Sequence, residues 1–421
     1  MPTTDPQVRP AATPLDALGE LIESRHARCV VVGLGFVGST LADALAAAGF
    51  AVHGHDRDPA AAAAYLARSG GNRIASPADT VLADADVVVV AVRVPVRADG
   101  SVDDEPLRAV AAALRQHSRS PRLVVVASTV PPGCTRAFAG WLGDDGGCFV
   151  AHAPERLAAE HGWRDLRGIP HLVGGVDQAS TQAAALLLGT FCDQVVPVSA
   201  PEVSELAKLL ENTYRAVNIA LVGEVTRIAH GFGVAAAEVC RAAATKPFGY
   251  HAFYPGPGAG GHCLPNDLQI LRHAAALHGR PTPLLDGTAT AAAIQPALVV
   301  DRVEALAGGT LHGRAVLLVG AGFKPGSADT TASPVRAVAR LLRERGARPA
   351  YLDGRVECLE VDGEPVPRVS PDALGAETFA AAVVLAGDPA LAAARLASIP
   401  VVLDAGGAHV LRGALAGMHT L

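Results

Sequence analysis

Between Cys29 and Asp404 the apolar positions fall mostly into short unbroken runs rather than into alternation. Cys29-Val-Val-Val, Asp86 to Val92 and Leu123 to Ala127 read as strands, and Ala51 to His55 reads as the strand after the first helix. A strand that is apolar on both sides of its pleat is buried on both faces. That pattern belongs to a parallel sheet covered by helices. Ser39 to Ala48 has helical spacing and stops at Gly49, a common helix end. The same plan returns after Gly313. Strands are predicted at Ala315 to Gly320, Pro349 to Leu352, Ala381 to Leu385 and Val401 to Asp404, with a helix over Ser333 to Arg345.

The middle of the chain is different. Glu202 to about Gly231 keeps helical periodicity with no interior proline, and is predicted to be a long helix connecting domains, with more helix to Ala244. Lys246 to Pro265 is too rich in Gly and Pro for a regular element, and helix resumes to about His278. The start is Pro/Thr-rich, then weakly helical through Leu15, Leu18, Leu21 and Ile22. The predicted fold class is α/β, with two doubly wound parallel-sheet domains joined by a central helical domain. The predicted boundaries are an N-terminal extension at 1–27, an α/β domain at 28–198, the helical domain at 199–300 and a second α/β domain at 301–421.

Composition narrows the class. A chain of 421 residues that is 50% apolar can bury two or three cores, which excludes a mainly disordered protein. No apolar run approaches the ~18–20 residues of a spanning helix, and Met1 to Arg28 has no secretory pattern, so neither a membrane nor export is expected. A net charge of −6 with scattered basic residues argues against nucleic acid. Seven cysteines with no CxxC pair fit a reducing cytoplasm and predict neither a disulfide framework nor a metal site. Of 35 basic residues only Lys208, Lys246 and Lys324 are lysines. Arginine replaces lysine on most surfaces but not where a compact ammonium is needed, so these three mark candidate sites.

The first candidate is Gly33-Leu34-Gly35-Phe36-Val37-Gly38, which follows a strand, opens a helix and precedes a second strand ending before Asp56. This context is the dinucleotide-binding fingerprint. Gly33 permits the turn, Gly35 admits the pyrophosphate beside Phe36 and Val37, and Gly38 lets helix pack on strand. Asp56 is placed to accept from the ribose hydroxyls and repel a 2′-phosphate, which favours NAD over NADP, with Arg57 beside it softening that preference.

The second candidate is the segment from Tyr254 through Gly260 to Cys263 and Asp267, a Gly/Pro-rich stretch suited to presenting one thiol. Lys208, Asn212 and Arg215 fall at i, i+4 and i+7, which puts them on one helix face. Phe323 and Lys324 lie in a Gly-rich loop after a strand of the last domain. Thr129 and Glu155 lie in loops at strand ends of the first.

These elements, in this order, resemble the UDP-glucose/GDP-mannose dehydrogenase family. Ala242 to Asp267 (AAATKPFGYHAFYPGPGAGGHCLPND) and Leu209 to Val222 (LLENTYRAVNIALV) look most like its UDP-N-acetylglucosamine 6-dehydrogenase branch. The resemblance implies four-electron oxidation of a sugar C6 alcohol to a carboxylate with two NAD per turnover, on a nucleotide-diphosphate sugar. UDP-N-acetylglucosamine and UDP-glucose are the expected substrates, with dTDP-glucose as a variant.

It assigns Cys263 as nucleophile and Lys208 and Asn212 as oxyanion donors. Asp267 and Glu155 handle water and protons, and Thr129 lies by C6 and the nicotinamide. Phe323, Lys324, Tyr254 and Gly260 contact the substrate. It also implies a homodimer or larger homo-oligomer formed by the central helices. The sequence departs from the family at Asn266, where relatives carry lysine, at Thr331, where an arginine is usual, and at Arg93-Val94-Pro95. The competing readings are a two-electron hydroxyacid dehydrogenase, which needs no thiol, and a catalytically silent nucleotide-binding module.

Overall fold

The computed structural model describes residues 13–67, 74–75, 78–117, 123–143, 147–156, 166–261, 263–323, 326–375, 378–386, 396–406 and 418–421. The chain divides into two units, Met1–Leu210 and Glu211–Leu421. The division falls inside one helix, within the predicted middle domain at 199–300.

In the first unit the elements run α1 (Pro14–Glu23), β1 (Arg28–Val32), α2 (Phe36–Ala47), β2 (Ala51–His55), α3 (Pro59–Ala67), β3 (Ile74–Ala75), α4 (Ala78–Leu82), β4 (Val87–Val90), α5 (Glu105–His117) and β5 (Leu123–Val126). They continue with α6 (Cys134–Leu142), β6 (Phe149–His152), β7 (His171–Gly175), α7 (Gln178–Leu188), β8 (Val195–Pro197) and the start of α8 (Pro201–Gly231), whose residues from Glu211 belong to the second unit. The sheet order is β3-β2-β1-β4-β5-β6-β7-β8, whose first six strands have the dinucleotide-binding order. It is parallel except between β6 and β7, where Ala151 faces Gly175 in an antiparallel pair. The predicted parallel, doubly wound sheet is present, with this one antiparallel pair added.

The unbroken valine runs have a direct cause. Val31, Val89 and Val125 point into one helix layer with Leu41, Leu45 and Leu187. Val30, Val88 and Val124 point into the other, with Leu107, Leu114 and Phe138. Each such side chain contributes roughly 1.5–3 kcal/mol by leaving water. Helix α1 lies within the predicted N-terminal extension. Thr13 and Asp16 form a capping box at its start, and Leu18 and Ile22 sit in the same core as Val31.

The second unit holds α9 (Ala236–Ala243), α10 (Cys263–Leu277), α11 (Pro283–Leu306), β9 (Ala315–Val319), α12 (Pro334–Glu344), β10 (Arg348–Leu352), β11 (Glu360–Val361), β12 (Glu364–Pro365), β13 (Ala381–Val384), β14 (Val402–Asp404) and β15 (His419–Thr420). Its main sheet has the order β10-β9-β13-β14-β15 and is parallel throughout. Helix α12 is set by Ser333, whose hydroxyl accepts from the Val335 N–H, and by Pro334 at the first position.

One expectation is revised here. Helix begins at Cys263 rather than after Pro265, because proline is tolerated in a first turn, where its missing N–H has no partner to lose. The 24-residue α11 had no counterpart in the sequence reading: its Ala/Thr stretch is weakly periodic and Pro296 interrupts it.

Candidate active site

The β1–α2 turn has the geometry its glycines require. Gly33 has φ +93°, and a Cβ there would strike the Ala91 backbone. A Cβ on Gly38 would collide with the Gly33 carbonyl, so this position fixes how closely helix lies on strand. Around Gly35, by contrast, a Cβ would meet no heavy atom of the described residues within 4 Å. This is open space at an uncapped helix N-terminus whose N–H groups await an anion. Half-buried Asp56 accepts from the Leu34 N–H through Oδ2 at 2.7 Å and from the Asp58 N–H through Oδ1 at 2.8 Å. Its carboxylate braces the turn and keeps further lone pairs for hydroxyl donors. Phe36 and Arg57 are exposed and Val37 is half-buried. The turn therefore fits a dinucleotide.

A second group gathers at the ends of β5 and β6. Half-buried Thr129 follows Ser128, whose hydroxyl donates to the Val92 carbonyl at 2.7 Å. His152 is fully buried. Its Nε2 donates to the Ser128 carbonyl at 3.3 Å, and its Nδ1 lies 2.8 Å from the Ser204 hydroxyl. Burial, with nearby Lys208 acting the same way, pushes the His152 pKa down to about 4. The ring is therefore neutral and adds no charge beside the lysine. Buried Lys208 places Nζ 3.7 Å from Oε2 of half-buried Glu155. Glu205, three residues before it, accepts from the Gly133 and Thr135 N–H groups at 2.6 and 2.8 Å and so caps α6. Burial raises the Glu205 carboxyl, and these donors oppose the rise. Neither His152 nor Glu205 stood out in the sequence. The one available signal was that Ser204, Glu205 and Lys208 share a helix face.

In the second unit, Asn212 Nδ2 donates to Oδ2 of buried Asp267 at 2.5 Å. Asp267 is on α10, whose first residue is exposed Cys263, so the thiol sits at the helix's positive end, which favours negative charge. The preceding loop is held from two sides. Gln295 on α11 donates to the Gly256 carbonyl at 2.8 Å. Gly260 and Gly261 lie against Phe323 so closely that a Cβ on Gly261 would stand 3.0 Å from its ring. Tyr254 and Arg215 are half-buried. Two segments predicted separately, the thiol loop and the Phe323 loop, thus meet. Lys324 and His262 lie outside the described residues. Thr331 is exposed and donates its N–H to Asp329. No group of three or more His, Cys, Asp or Glu suited to a metal ion occurs among the described residues.

The chain is similar to known proteins along most of its length. Residues 62–191 match the NAD-binding domain of the UDP-glucose/GDP-mannose dehydrogenase family, and residues 202–292 match its central domain. The glycine turn precedes the first matched segment. A UDP-N-acetyl-D-mannosamine dehydrogenase of Methanocaldococcus jannaschii is 28% identical over 340 residues, covering 76% of this chain and 77% of its own. An NDP-N-acetyl-D-galactosaminuronic acid dehydrogenase of Ralstonia solanacearum is 29% identical over 339 residues, covering 74% and 79%. The structure of a UDP-glucose dehydrogenase from Pyrobaculum islandicum superposes with a TM-score of 0.78 at 26% identity, over 93% of this chain and 97% of that one.

Proposed function

Because the chain belongs to the UDP-glucose/GDP-mannose dehydrogenase family, with NAD as its cofactor, we propose that it oxidises the C6 alcohol of a nucleotide-diphosphate hexose to the uronic acid in two steps. The observation that carries this reading is the pairing of Asn212 with Asp267 one helical turn after Cys263. A simple alcohol dehydrogenase has no use for a thiol held in this way. NAD, when bound, accepts the hydride lost from C6 in each oxidation.

Cys263 adds to the C6 aldehyde and holds it as a thiohemiacetal, so the aldehyde does not escape. The second oxidation leaves a thioester, which water cleaves. Lys208 and Asn212 stabilise negative charge on the C6 oxygen, a role typically worth ~3–4 kcal/mol per donor. Glu155 and Asp267 take and return protons, and Thr129 orients C6. Phe323, Lys324, Tyr254 and Gly260 hold the nucleotide sugar. The Gly33–Gly38 turn and Asp56 hold the dinucleotide.

UDP-N-acetylglucosamine and UDP-glucose are the substrates we favour. Relatives named for N-acetylated sugars support the first, and dTDP-glucose is the variant to test beside them. We place the enzyme in the cytoplasm, in keeping with seven free thiols. No single helix among the described residues is long and apolar enough to cross a membrane.

The test is NADH production over UDP-glucose, UDP-N-acetylglucosamine, UDP-N-acetylmannosamine, GDP-mannose and dTDP-glucose. Two NADH per sugar with one of them is the expected result. One NADH per sugar, or binding without reduction, would overturn the proposal.

A further inference from the structure

His171, the first residue of β7, is 2% exposed, and the chemistry above gives it no task. The Leu166 backbone favours the protonated ring, while Nε2 is a buried atom with no hydrogen-bond partner among the described residues. Burial lowers its pKa, and Arg156 acts in the same direction, which favours the neutral ring, with one nitrogen able to accept. A buried polar atom left in this way calls for a partner.

The surroundings supply a place for one. His171 lines a narrow cavity with about 20 Å³ of room for the centre of a water molecule. That is enough for one water, which needs roughly 10–15 Å³ and at least two polar partners. The walls are otherwise apolar, from Leu41, Leu45, Val125 and Leu187 among others, and Glu155 is the one other ionisable residue in the lining. The two segments are tied together: Arg156, next to Glu155, donates Nη1 to the carbonyl of Pro170, next to His171, at 2.6 Å.

We propose that one ordered water occupies this cavity, donating one O–H to His171 Nε2 and the other to the Glu155 carboxylate, which makes His171 a positioning residue for Glu155. The inference rests on the reading that Glu155 handles protons during thioester hydrolysis. The bridge holds one side of the carboxylate inward while Lys208 stands 3.7 Å from Oε2. The carboxylate then keeps one orientation for the incoming water instead of several.

The test starts without substrate. The full chain is labelled with ¹⁵N-histidine, and the His171 resonances are identified by their loss in His171→Gln. The neutral Nδ1–H tautomer is expected, with an Nε2 signal that moves in Glu155→Gln. An Nε2 signal indifferent to Glu155→Gln overturns the bridge.

The second arm uses whichever nucleotide sugar the NADH screen identifies. His171→Leu should lower kcat about tenfold or more with both KM values unchanged, since a misplaced group costs rate rather than binding. It should also accumulate the Cys263 thioester by intact-protein mass spectrometry, and His171→Gln should recover most of the rate. Unchanged kcat in His171→Leu, or joint changes in kcat and KM that His171→Gln does not rescue, would overturn the assignment. Glu155→Gln separates the two levels. If it turns over normally, the role of Glu155 itself fails. If it is slow while His171→Leu is normal, only the inference about His171 fails.

Discussion

At the residue scale the central claim concerns one thiol and one ammonium. Cys263→Ser should abolish two-NADH turnover, because a hydroxyl without a dedicated base is a poor nucleophile. NAD affinity should be unchanged, since the Gly33–Gly38 turn belongs to the other unit. The measurements are NADH formed per sugar, the covalent adduct on residue 263 and cofactor titration. Full four-electron turnover by the serine variant would sink the mechanism. Lys208→Ala should lower kcat about 10²–10³-fold for both oxidations. Lys208→Arg should rescue poorly, because a planar fork does not fit where a buried ammonium sits close to Glu155. Asp56 carries a separate expectation. With both oxygens already fixed by backbone donors, its carboxylate cannot swing away from a 2′-phosphate. We therefore expect kcat/KM for NAD to exceed that for NADP at least about tenfold, as like charges brought together cost several kcal/mol. Equal efficiencies would remove Asp56 from the ribose.

At the scale of elements, His152 joins the end of β6, the Ser128 carbonyl and the first turns of α8. Its folded pKa, about 4, lies below the ordinary histidine value of 6.5. Between these two values the unfolded chain binds a proton that the folded chain refuses, so stability is lost as pH falls from about 6.5 toward 4. The full loss is roughly 3 kcal/mol for this one group. Thermal midpoints measured from pH 7 to pH 4.5 should fall less steeply in His152→Gln. Parallel slopes would show that another group controls acid stability.

The same elements show what a sequence can reveal. The β1–α2–β2 unit was legible because three glycines, one aspartate and two apolar runs each specify the same thing. The glycine loop was legible as a loop, but its helix start at Cys263 was not, since Pro265 reads as a breaker until the first-turn exception applies. Glu205 and His152 were invisible because a buried polar residue is marked by its partners, and those partners lie about 70 and 52 positions away. Helix α11 was missed because alanine supports a helix without marking its buried face.

At the scale of the whole molecule, α8 carries Val203, Leu206, Leu210, Tyr214, Leu221 and Ile228 exposed to solvent. Their spacing keeps them on one face. In the structure Val222 is buried, Val217 and Ile219 are half-buried, and Leu210, Leu221 and Ile228 remain 63%, 55% and 61% exposed. A large apolar stripe of this kind marks an interaction surface, and we propose that a second copy of the chain covers it. Light scattering at micromolar concentration should give at least a dimer, and Leu210→Asp with Leu221→Asp should shift it to monomer. A monomeric wild-type protein would contradict the proposal.

Both faces of the first unit's sheet are sealed by helices, so its central strands have no free side on which to place chemistry. Gly33 directly follows a strand, Thr129 and Glu155 stand three residues past the ends of theirs, and Gly320 to Phe323 follows β9 in the second unit. The departure at Arg93 lies three residues past the end of β4, and the one at Thr331 lies in the β9–α12 loop shortly before α12. The molecule thus separates a conservative interior from an editable rim. New sugars can be accommodated by rewriting a few loop positions while the valine layers stay untouched. Substrate choice should therefore diverge faster than fold, and exchanging rim segments between relatives is the direct way to move it.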